Sequence, residues 1–377
     1  MESCKHHYST TPRPLRTSKI KGSLNPYDPC VANKIIKGKQ CTIIFHVDDM
    51  KISHSDPEVV TRIIDWLKDL YQRLPNGEIA KMKVQRGKHL EYLGMDFDFS
   101  TKKEVKITMI GYIKKLIKDF QESTGVDLKG KTAVTPTRPN LFQVRKSMKK
   151  LPEKQKKIFH HTVAQLLYLY KRTRPDLAPA VPFLTTRVSE PDQDDWKKLC
   201  KVIQYLHCTI LLPLTLSADK TKPPICWIDA SYAVHPNCRS HTGGTYTLGK
   251  GSIFTISSKQ KINTKSSTEA ELVAVDDCIP HMIWANHFLK EQGYFHPTTV
   301  VYQDNRSAIL LEQNGVLSST RRTKHIDVRY YFIKDKINSK ELTVQWCSTD
   351  EMIADYNTKP LSGEKFLQFR KAILNLK

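Results

Sequence analysis

The C-terminal part of the sequence predicts an α/β fold in which helices cover both faces of one mixed sheet. From residue 225 onwards three strand patterns come first, and helix and strand patterns then alternate. This order is typical of a mixed sheet between helices. A helix pattern that begins near Ser267 also carries Glu271 in the middle of its apolar stripe. An unpaired buried carboxylate is costly, so Glu271 predicts a metal ion or a cationic partner in the core.

The start of this helix contains a second carboxylate, Glu269. At 100° per residue Glu269 falls on the face opposite the apolar stripe, so we expect it to be solvated. Ser267 and Thr268 are candidate caps for the free N–H groups, and an acidic first turn suits the helix dipole. Glu269 is therefore predicted to have a capping role.

The charge balance favours a polyanionic partner. Sixty Lys and Arg against 38 Asp and Glu give a formal net charge of +22 and a pI near 9.5. From Thr101 to Pro175 there are 19 basic and five acidic residues, so this segment carries about +14 of the total. Such a concentration predicts a nucleic-acid-binding surface, with a merely solvated basic face as the alternative.

The cysteines and the hydropathy exclude several other classes. The nine cysteines show no Cys-x-x-Cys pair, so neither a zinc module nor a disulfide framework is indicated. The sequence has no run of 18 apolar residues and no apolar signal core near Met1. We therefore expect a soluble intracellular protein, cytoplasmic or nuclear.

The N-terminal elements are less regular. Residues 1–38 are polar and rich in proline and are predicted to be irregular. An apolar strand, Cys41–Val47, runs into Asp48 and Asp49, and Lys51–Ser53 is predicted to return beside it. The further patterns predict a helix at Glu58–Tyr71, strands at Tyr92–Phe97 and Val105–Met109, and helices at Ile110–Phe120, Phe159–Tyr170 and Asp194–His207.

Residues 212–224 are the predicted domain boundary, because prolines flank a polar stretch there. The C-terminal domain then covers residues 225–377. Its predicted strands are Ile225–Asp229, Gly243–Leu248, Ile253–Ser258, Thr299–Asp304 and Leu342–Cys347, and its helices begin at Ser267, Ser307, His325 and Met352. Pro280 is expected to kink the long helix or divide it near Asp276.

Three further carboxylates, Asp229, Asp304 and Asp355, stand where strands end or helices begin. Converging carboxylates repel one another unless divalent cations neutralise them. Oxygen ligands of this kind suit Mg²⁺ or Mn²⁺, and two such ions can support phosphodiester cleavage. From spacing alone each aspartate is also explained as a turn residue or a helix cap.

Six segments in this region resemble, in the same order, the ribonuclease H domain of Ty1/copia-type retrotransposon polyproteins. They are Ile228–His235, Arg239–Gly244, Lys259–Leu272, Tyr302–Ala308, Arg322–Tyr330 and Ala354–Leu361. The resemblance covers roughly residues 225–369. It implies an RNase H-like fold and a two-metal nuclease that cuts the RNA strand of an RNA/DNA hybrid.

The resemblance also implies which residues act. Asp229, Glu271, Asp304 and Asp355 match the family's Asp-Glu-Asp-Asp set and would hold two Mg²⁺ or Mn²⁺ ions. Glu271 is preferred over Glu269 because Leu272, Val273 and Ala274 follow it in the family's pattern. The candidate phosphate contacts are the basic residues that flank this set in the sequence, namely Lys259, Lys261, Lys265, Arg321, Arg322 and Lys324.

Two residues compete for a role at this site. Asp327 begins an amphipathic helix, where a first-turn charge is the simpler explanation. His325 could contact a phosphate or aid product release, or it could be structural.

Residues 39–211 resemble the reverse transcriptase of the same elements, from late palm through thumb to connection, an α+β region. Phe45–Asp49 resembles the polymerase aspartate turn, and Thr173–Leu177 resembles a later connecting segment. By resemblance Asp48 would be a metal ligand and Asp49 its neighbour. The family needs a further strand-borne aspartate upstream, and Asp28 between two prolines is a poor substitute. We therefore expect a truncated polymerase without DNA synthesis by this chain alone.

Two functions follow as alternatives. The first is a retrotransposon-derived RNase H attached to an inactive polymerase remnant, with an RNA/DNA hybrid as its partner and no membrane. The second is a non-catalytic nucleic-acid-binding relic of the same polyprotein.

Overall fold

The computed structural model describes residues 23–47, 49–71, 82–294, 298–314 and 327–377. The chain divides into two compact units. Unit 1 comprises residues 1–94 and 284–295, and unit 2 comprises residues 95–283 and 296–377. No helix within the described ranges is both long enough and apolar enough to cross a membrane. This division into compact units does not test the predicted domain boundaries, which remain a prediction.

Unit 1 contains an antiparallel sheet and one long helix. Its elements are β1 (Ser23–Asn25), β2 (Asp28–Ile36), β3 (Lys39–His46), β4 (Asp49–Ser53), α1 (Pro57–Tyr71) and β5 (His89–Tyr92). The strands β1 to β4 pair in chain order. Residues 1–38 were expected to be irregular, which is wrong for β1 and β2. These strands contain polar residues and Pro29, so a pattern search does not find them. They are defined by pairing, of β1 with β2 and of β2 with the apolar β3.

The first half of unit 2 is mostly helical. Its elements are β6 (Met95–Asp98), β7 (Val105–Thr108), α2 (Ile110–Thr124), α3 (Glu153–Tyr170), α4 (Ala180–Thr185), α5 (Gln193–Cys208) and β8 (Leu214–Ala218). The expected single strand at Tyr92–Phe97 is instead interrupted at Leu93 and Gly94, both of which have positive φ. The predicted boundary segment contains β8, which pairs with β7.

The second half of unit 2 holds the mixed sheet. Its elements are β9 (Ile225–Ser231), β10 (His241–Thr247), β11 (Gly249–Lys250), β12 (Phe254–Lys259), α6 (Ser267–Glu291), β13 (Thr299–Gln303), α7 (Arg306–Asn314), α8 (Asp327–Asn338), β14 (Leu342–Trp346), α9 (Asp355–Thr358) and α10 (Gly363–Leu374). The last eight residues of α6 belong to unit 1. The sheet order is β12-β10-β9-β13-β14, with the first three strands antiparallel and the last two parallel to β9.

Two adjacent glycines of β10 show that helices cover both faces of this sheet. A Cβ on Gly243 would collide with Thr358 of α9, whereas a Cβ on Gly244 would lie 2.8 Å from the sulfur of Cys278 in α6. Neighbouring residues of a strand point to opposite faces, so α9 and α6 pack on opposite sides. The predicted α/β class, a mixed sheet flanked by helices, is confirmed.

Two details of the helices differ from expectation. Helix α6 is not divided near Asp276, because it continues through Pro280 to Glu291. The buried side chains of Ile279 and Met282 on either side hold this stretch against the core. The final helix expected from Met352 consists of two shorter ones, α9 and α10.

Candidate active site

Three of the four predicted carboxylates meet at the mixed sheet. Asp229 lies near the end of β9, Asp304 directly follows β13, and Glu271 lies in the second turn of α6. One oxygen of each lies within 4.8 Å of the other two. Because β9 and β13 are parallel neighbours, their carboxyl ends bring the two aspartates to the same edge.

The cluster is electrostatically unfavourable without a cation. Burial, and then the charges of Asp229 and Asp304, hold the pKa of Glu271 well above its usual range. Burial likewise raises the pKa of Asp229 to about 6, although Lys359 opposes this shift. Within the described residues, Oε2 of Glu271 is buried and has no hydrogen-bond partner. These oxygens are a donor set that a hard divalent cation fits.

Asp355, the fourth predicted ligand, is close to Asp229 but is held differently. Its Oδ1 lies 2.5 Å from Nζ of Lys359, and its Oδ2 lies 3.0 Å from Nζ of Lys365. Nζ of Lys359 also lies 3.7 Å from Oδ1 of Asp229. Burial lowers the pKa of Lys359, but the carboxylates of Asp229 and Asp355 outweigh it and the net shift is upward. Lys359 is thus an internal cation between two of the four predicted ligands.

The segment that carries Asp355 is fixed to the sheet by hydrogen bonds. The side-chain amide of Asn357 donates to the backbone oxygen of Gly244 at 3.0 Å, and Ser257 Oγ donates to the backbone oxygen of Asn357 at 2.7 Å. The Thr358 hydroxyl donates to Oδ2 of Asp229. The Ala354–Leu361 motif therefore orients the aspartate on β9 as well as its own.

A buried ion pair supports the same segment from the helical half of unit 2. Arg174 donates to both carboxylate oxygens of Asp176, at 2.8 and 2.7 Å, and both residues are fully buried. The Tyr356 hydroxyl donates to the backbone oxygen of Asp176 at 3.0 Å. The Thr173–Leu177 motif thus binds Tyr356, the residue next to Asp355, through a hydrogen bond. The sequence of the motif did not indicate this contact.

Glu269 differs from its predicted environment. Its expected exposure is wrong, since it is 7% exposed, close to the 6% of Glu271. Its carboxylate accepts a hydrogen bond from the N–H of Lys265 at 2.7 Å, so the capping role is confirmed. Ser266, rather than Ser267 or Thr268, supplies the capping hydroxyl, which accepts from the N–H of Glu269. Every residue of α6 from Glu269 to Val275 is buried, so a helical projection does not separate the two glutamates.

The candidate phosphate contacts are only partly described. Lys259 ends β12 and is half-buried, while Lys261 and Lys265 are exposed on the connection to α6, the helix that carries Glu271. Arg321, Arg322, Lys324 and His325 lie outside the described residues. Asp327 begins α8, and its side chain is also outside them.

The predicted polymerase turn is a hairpin between β3 and β4. His46 and Asp49 face each other in the register, and Val47 has a φ of 52°. Asp49 is exposed and lines a cavity of about 300 Å³. Asp48 lies outside the described residues, so its role as a metal ligand remains a prediction.

The sequence did not indicate Thr358, Lys359 or Thr349, whose side chains contact the predicted ligands. The first two had a signal. They follow Asp355 at i+3 and i+4, a spacing that places side chains on one helix face. That spacing was a usable signal, because all three belong to one short motif. Thr349, whose hydroxyl donates to Oδ2 of Asp304 at 3.0 Å, had no such signal.

No family model matches the chain. Comparison with known proteins nevertheless finds Pol polyproteins of transposons that are similar to it. The chain is 29% identical over 351 residues to the retrovirus-related Pol polyprotein from transposon TNT 1-94 of Nicotiana tabacum, and 30% identical over 339 residues to that from transposon RE1 of Arabidopsis thaliana. It is 26% identical over 347 residues to the Ty1-NL2 Gag-Pol polyprotein of Saccharomyces cerevisiae. The chain is a relative of the Ty1/copia-type Pol polyproteins.

The chain aligns with only part of those proteins. The three matches cover 90%, 88% and 88% of this chain but 25%, 21% and 19% of the respective polyproteins. The chain therefore spans from about a fifth to a quarter of the length of these three relatives.

Solved structures with some similarity include an RNase H1 isolated from compost and a foamy viral protease-reverse transcriptase in complex with dsDNA. The first has 14% identity and a TM-score of 0.27, and covers 35% of this chain and 90% of its own. The second has 12% identity and a TM-score of 0.45, and covers 81% of this chain and 55% of its own.

Proposed function

We propose that the mixed-sheet part of this chain is a ribonuclease H that cleaves the RNA strand of RNA/DNA hybrids with divalent metal ions. The observation that carries this proposal is the convergence of Asp229, Glu271 and Asp304 within 4.8 Å, with one buried Glu271 oxygen that has no hydrogen-bond partner among the described residues. The similarity to Pol polyproteins of transposons supports the proposal. The six motifs support it as well, because they resemble the ribonuclease H domain of Ty1/copia-type polyproteins and occur in the same order.

The chain's own residues prepare the site for catalysis. Asp229, Glu271 and Asp304 would hold Mg²⁺ or Mn²⁺, which supplies a Lewis acid for the phosphate and an activated water. Thr358 and Thr349 fix the orientation of Asp229 and Asp304 through hydroxyl hydrogen bonds. If two ions bind, Asp355 would be a ligand as well. The ion pairs of its carboxylate with Lys359 and Lys365 would then have to break.

The hybrid would be positioned by contacts to its phosphates. Lys259, Lys261 and Lys265 precede the helix of Glu271, and the basic residues of 101–175 add to the positive surface. Such contacts set the position of a duplex without reading its bases, and the 2′-hydroxyl distinguishes the RNA strand.

A cleavage assay with two matched variants tests the proposal. The parent protein is expected to cut a labelled RNA/DNA hybrid with Mg²⁺, and Glu271→Gln is expected to lower the rate by at least about 100-fold, since it removes a charge from the cluster. Glu269→Gln is the control on the same helix, because its amide oxygen still accepts from Lys265. We expect it to keep the rate within about threefold.

A second readout does not depend on cleavage. Mn²⁺ should raise the melting temperature of the parent and of Glu269→Gln but not that of Glu271→Gln, because binding to the folded state stabilises it. Absence of hybrid cleavage by the parent, or equal cleavage by Glu271→Gln, would exclude the proposal.

The second candidate is a non-catalytic protein that binds nucleic acid. Its specific support is that both oxygens of Asp355 are paired with lysines, together with the basic segment 101–175. Hybrid binding with strong salt dependence but without cleavage would favour it.

A further inference from the structure

An exposed tryptophan stands directly beside the carboxylate cluster. Trp346 ends β14, and the residue is 48% exposed. Its indole Nε1 donates a hydrogen bond to the backbone oxygen of Asp304 at 3.2 Å. The ring is therefore held in place at one of the three clustered carboxylates while much of its surface remains accessible.

A cation lies over this ring. The guanidinium carbon of Arg306, the first residue of α7, is 4.4 Å from the centre of the Trp346 ring. Arg306 is exposed, and no carboxylate of the described residues lies within ion-pair distance of it. Its N–H donors are thus available to an anion from solution, while its stacking on the indole limits its freedom.

We propose that Trp346 and Arg306 form a nucleotide-binding platform for the hybrid strand that passes Asp304, an inference that rests on the proposed function. The indole packs on the sugar or base face of one nucleotide, and the guanidinium contacts its phosphate. Neither residue is a metal ligand, and neither belongs to the predicted set of phosphate contacts.

The two side chains match the two chemistries of a nucleotide. An aromatic face stacks on any base and is tolerant of sequence, which suits a nuclease that does not read its substrate. Arg306 offers a planar set of donors that fits phosphate. The indole ring is held next to the carboxylate cluster, because its N–H donates to the backbone oxygen of Asp304 itself.

The experiment measures binding in the full chain carrying Glu271→Gln, so that cleavage does not consume the hybrid. Dissociation constants for a fluorescently labelled RNA/DNA hybrid are measured by anisotropy at several salt concentrations. Trp346→Ala is expected to weaken binding by about five- to 20-fold, whereas Trp346→Phe, which keeps a ring, should recover most of the affinity. Arg306→Gln should lower the slope of log K against log salt by about 0.9.

Trp284 provides the matched control. It is 47% exposed, its indole also donates to a backbone oxygen, that of Tyr27 at 2.9 Å, and it belongs to unit 1 rather than to the unit of the carboxylates. Trp284→Ala is expected to leave the dissociation constant within about twofold. Melting curves of all variants verify that they are folded.

The outcomes separate this inference from the proposed function. The platform is refuted if the parent cleaves the hybrid but Trp346→Ala in the Glu271→Gln chain binds it as tightly as the Glu271→Gln chain alone. It is also refuted if Trp284→Ala weakens binding as much as Trp346→Ala does. An unchanged salt slope in Arg306→Gln refutes the phosphate contact. Trp346-dependent binding without cleavage by the parent would refute the nuclease and leave the platform in place.

Discussion

Replacement of Lys359 by methionine tests how the carboxylate cluster is neutralised. Nζ of Lys359 lies 2.5 Å from Asp355 and 3.7 Å from Asp229, and its side chain is 38% exposed. Methionine has a similar length and no charge, so Lys359→Met removes the internal cation with little change in packing. Asp355 keeps its contact with Lys365.

The size of the effect follows from these distances. At an effective dielectric constant of about 20, the gross attraction is about 4 kcal/mol for Asp229 and about 7 kcal/mol for Asp355. Desolvation of the ammonium group and screening by solvent at this partly exposed position offset most of it. We expect a net loss of about 1–3 kcal/mol in the metal-free protein, or roughly 2–10 °C in melting temperature.

The assay compares melting temperatures in EDTA and in a Mn²⁺ series, with Mn²⁺ affinity from calorimetry. Without Lys359, no lysine of the described residues lies within ion-pair distance of Asp229, so Mn²⁺ should bind about tenfold more tightly and restore the lost stability. Lys365→Met is the control, since Lys365 pairs with Asp355 but not with Asp229.

Two results would refute this reasoning. Lys359→Met could be as stable as the parent in EDTA, in which case Lys359 does not neutralise the cluster. Mn²⁺ could instead bind Lys359→Met no more tightly than it binds the parent, and then lysine and metal do not compete.

Two further predictions concern stability. Arg174→Met leaves Asp176 buried without its cation and should lower the free energy of unfolding in urea by about 3–5 kcal/mol. The double variant Arg174→Met with Asp176→Leu should recover part of this loss. Equal stability of the single variant and the parent would contradict the role of the ion pair. In EDTA, the folded-state pKa of Asp229 near 6 lies above its ordinary value of 3.8, so the folded state keeps a proton that the unfolded state loses in this window. The parent should therefore lose on the order of 2 kcal/mol relative to Asp229→Asn as pH rises from about 4 to about 7. A stability difference that does not vary with pH would contradict the raised pKa.

The mixed sheet was predictable because its signals are local. Strands β9, β13 and β14 each carry an apolar run of their own, and Asp229 and Asp304 stand at or near the ends of β9 and β13. The burial of Glu271 also followed from a local pattern, its place in the apolar stripe of α6. In contrast, β2 became a strand only through its pairing with β3, and the burial of Glu269 came from packing around residues 269–275 of its helix, all of which are buried.

The sequence by itself determined the kind of fold, the order of the motifs and the chemical type of the site, because strand periodicity and the choice of carboxylates are written residue by residue. Only the tertiary structure decided which charges meet. It brings Asp229, Glu271 and Asp304 together and places Lys359, 130 positions from Asp229, between that residue and Asp355. It also sets Trp346 and Arg306 beside Asp304. Contacts across such separations depend on how the strands are ordered in the sheet, and no local pattern encodes them.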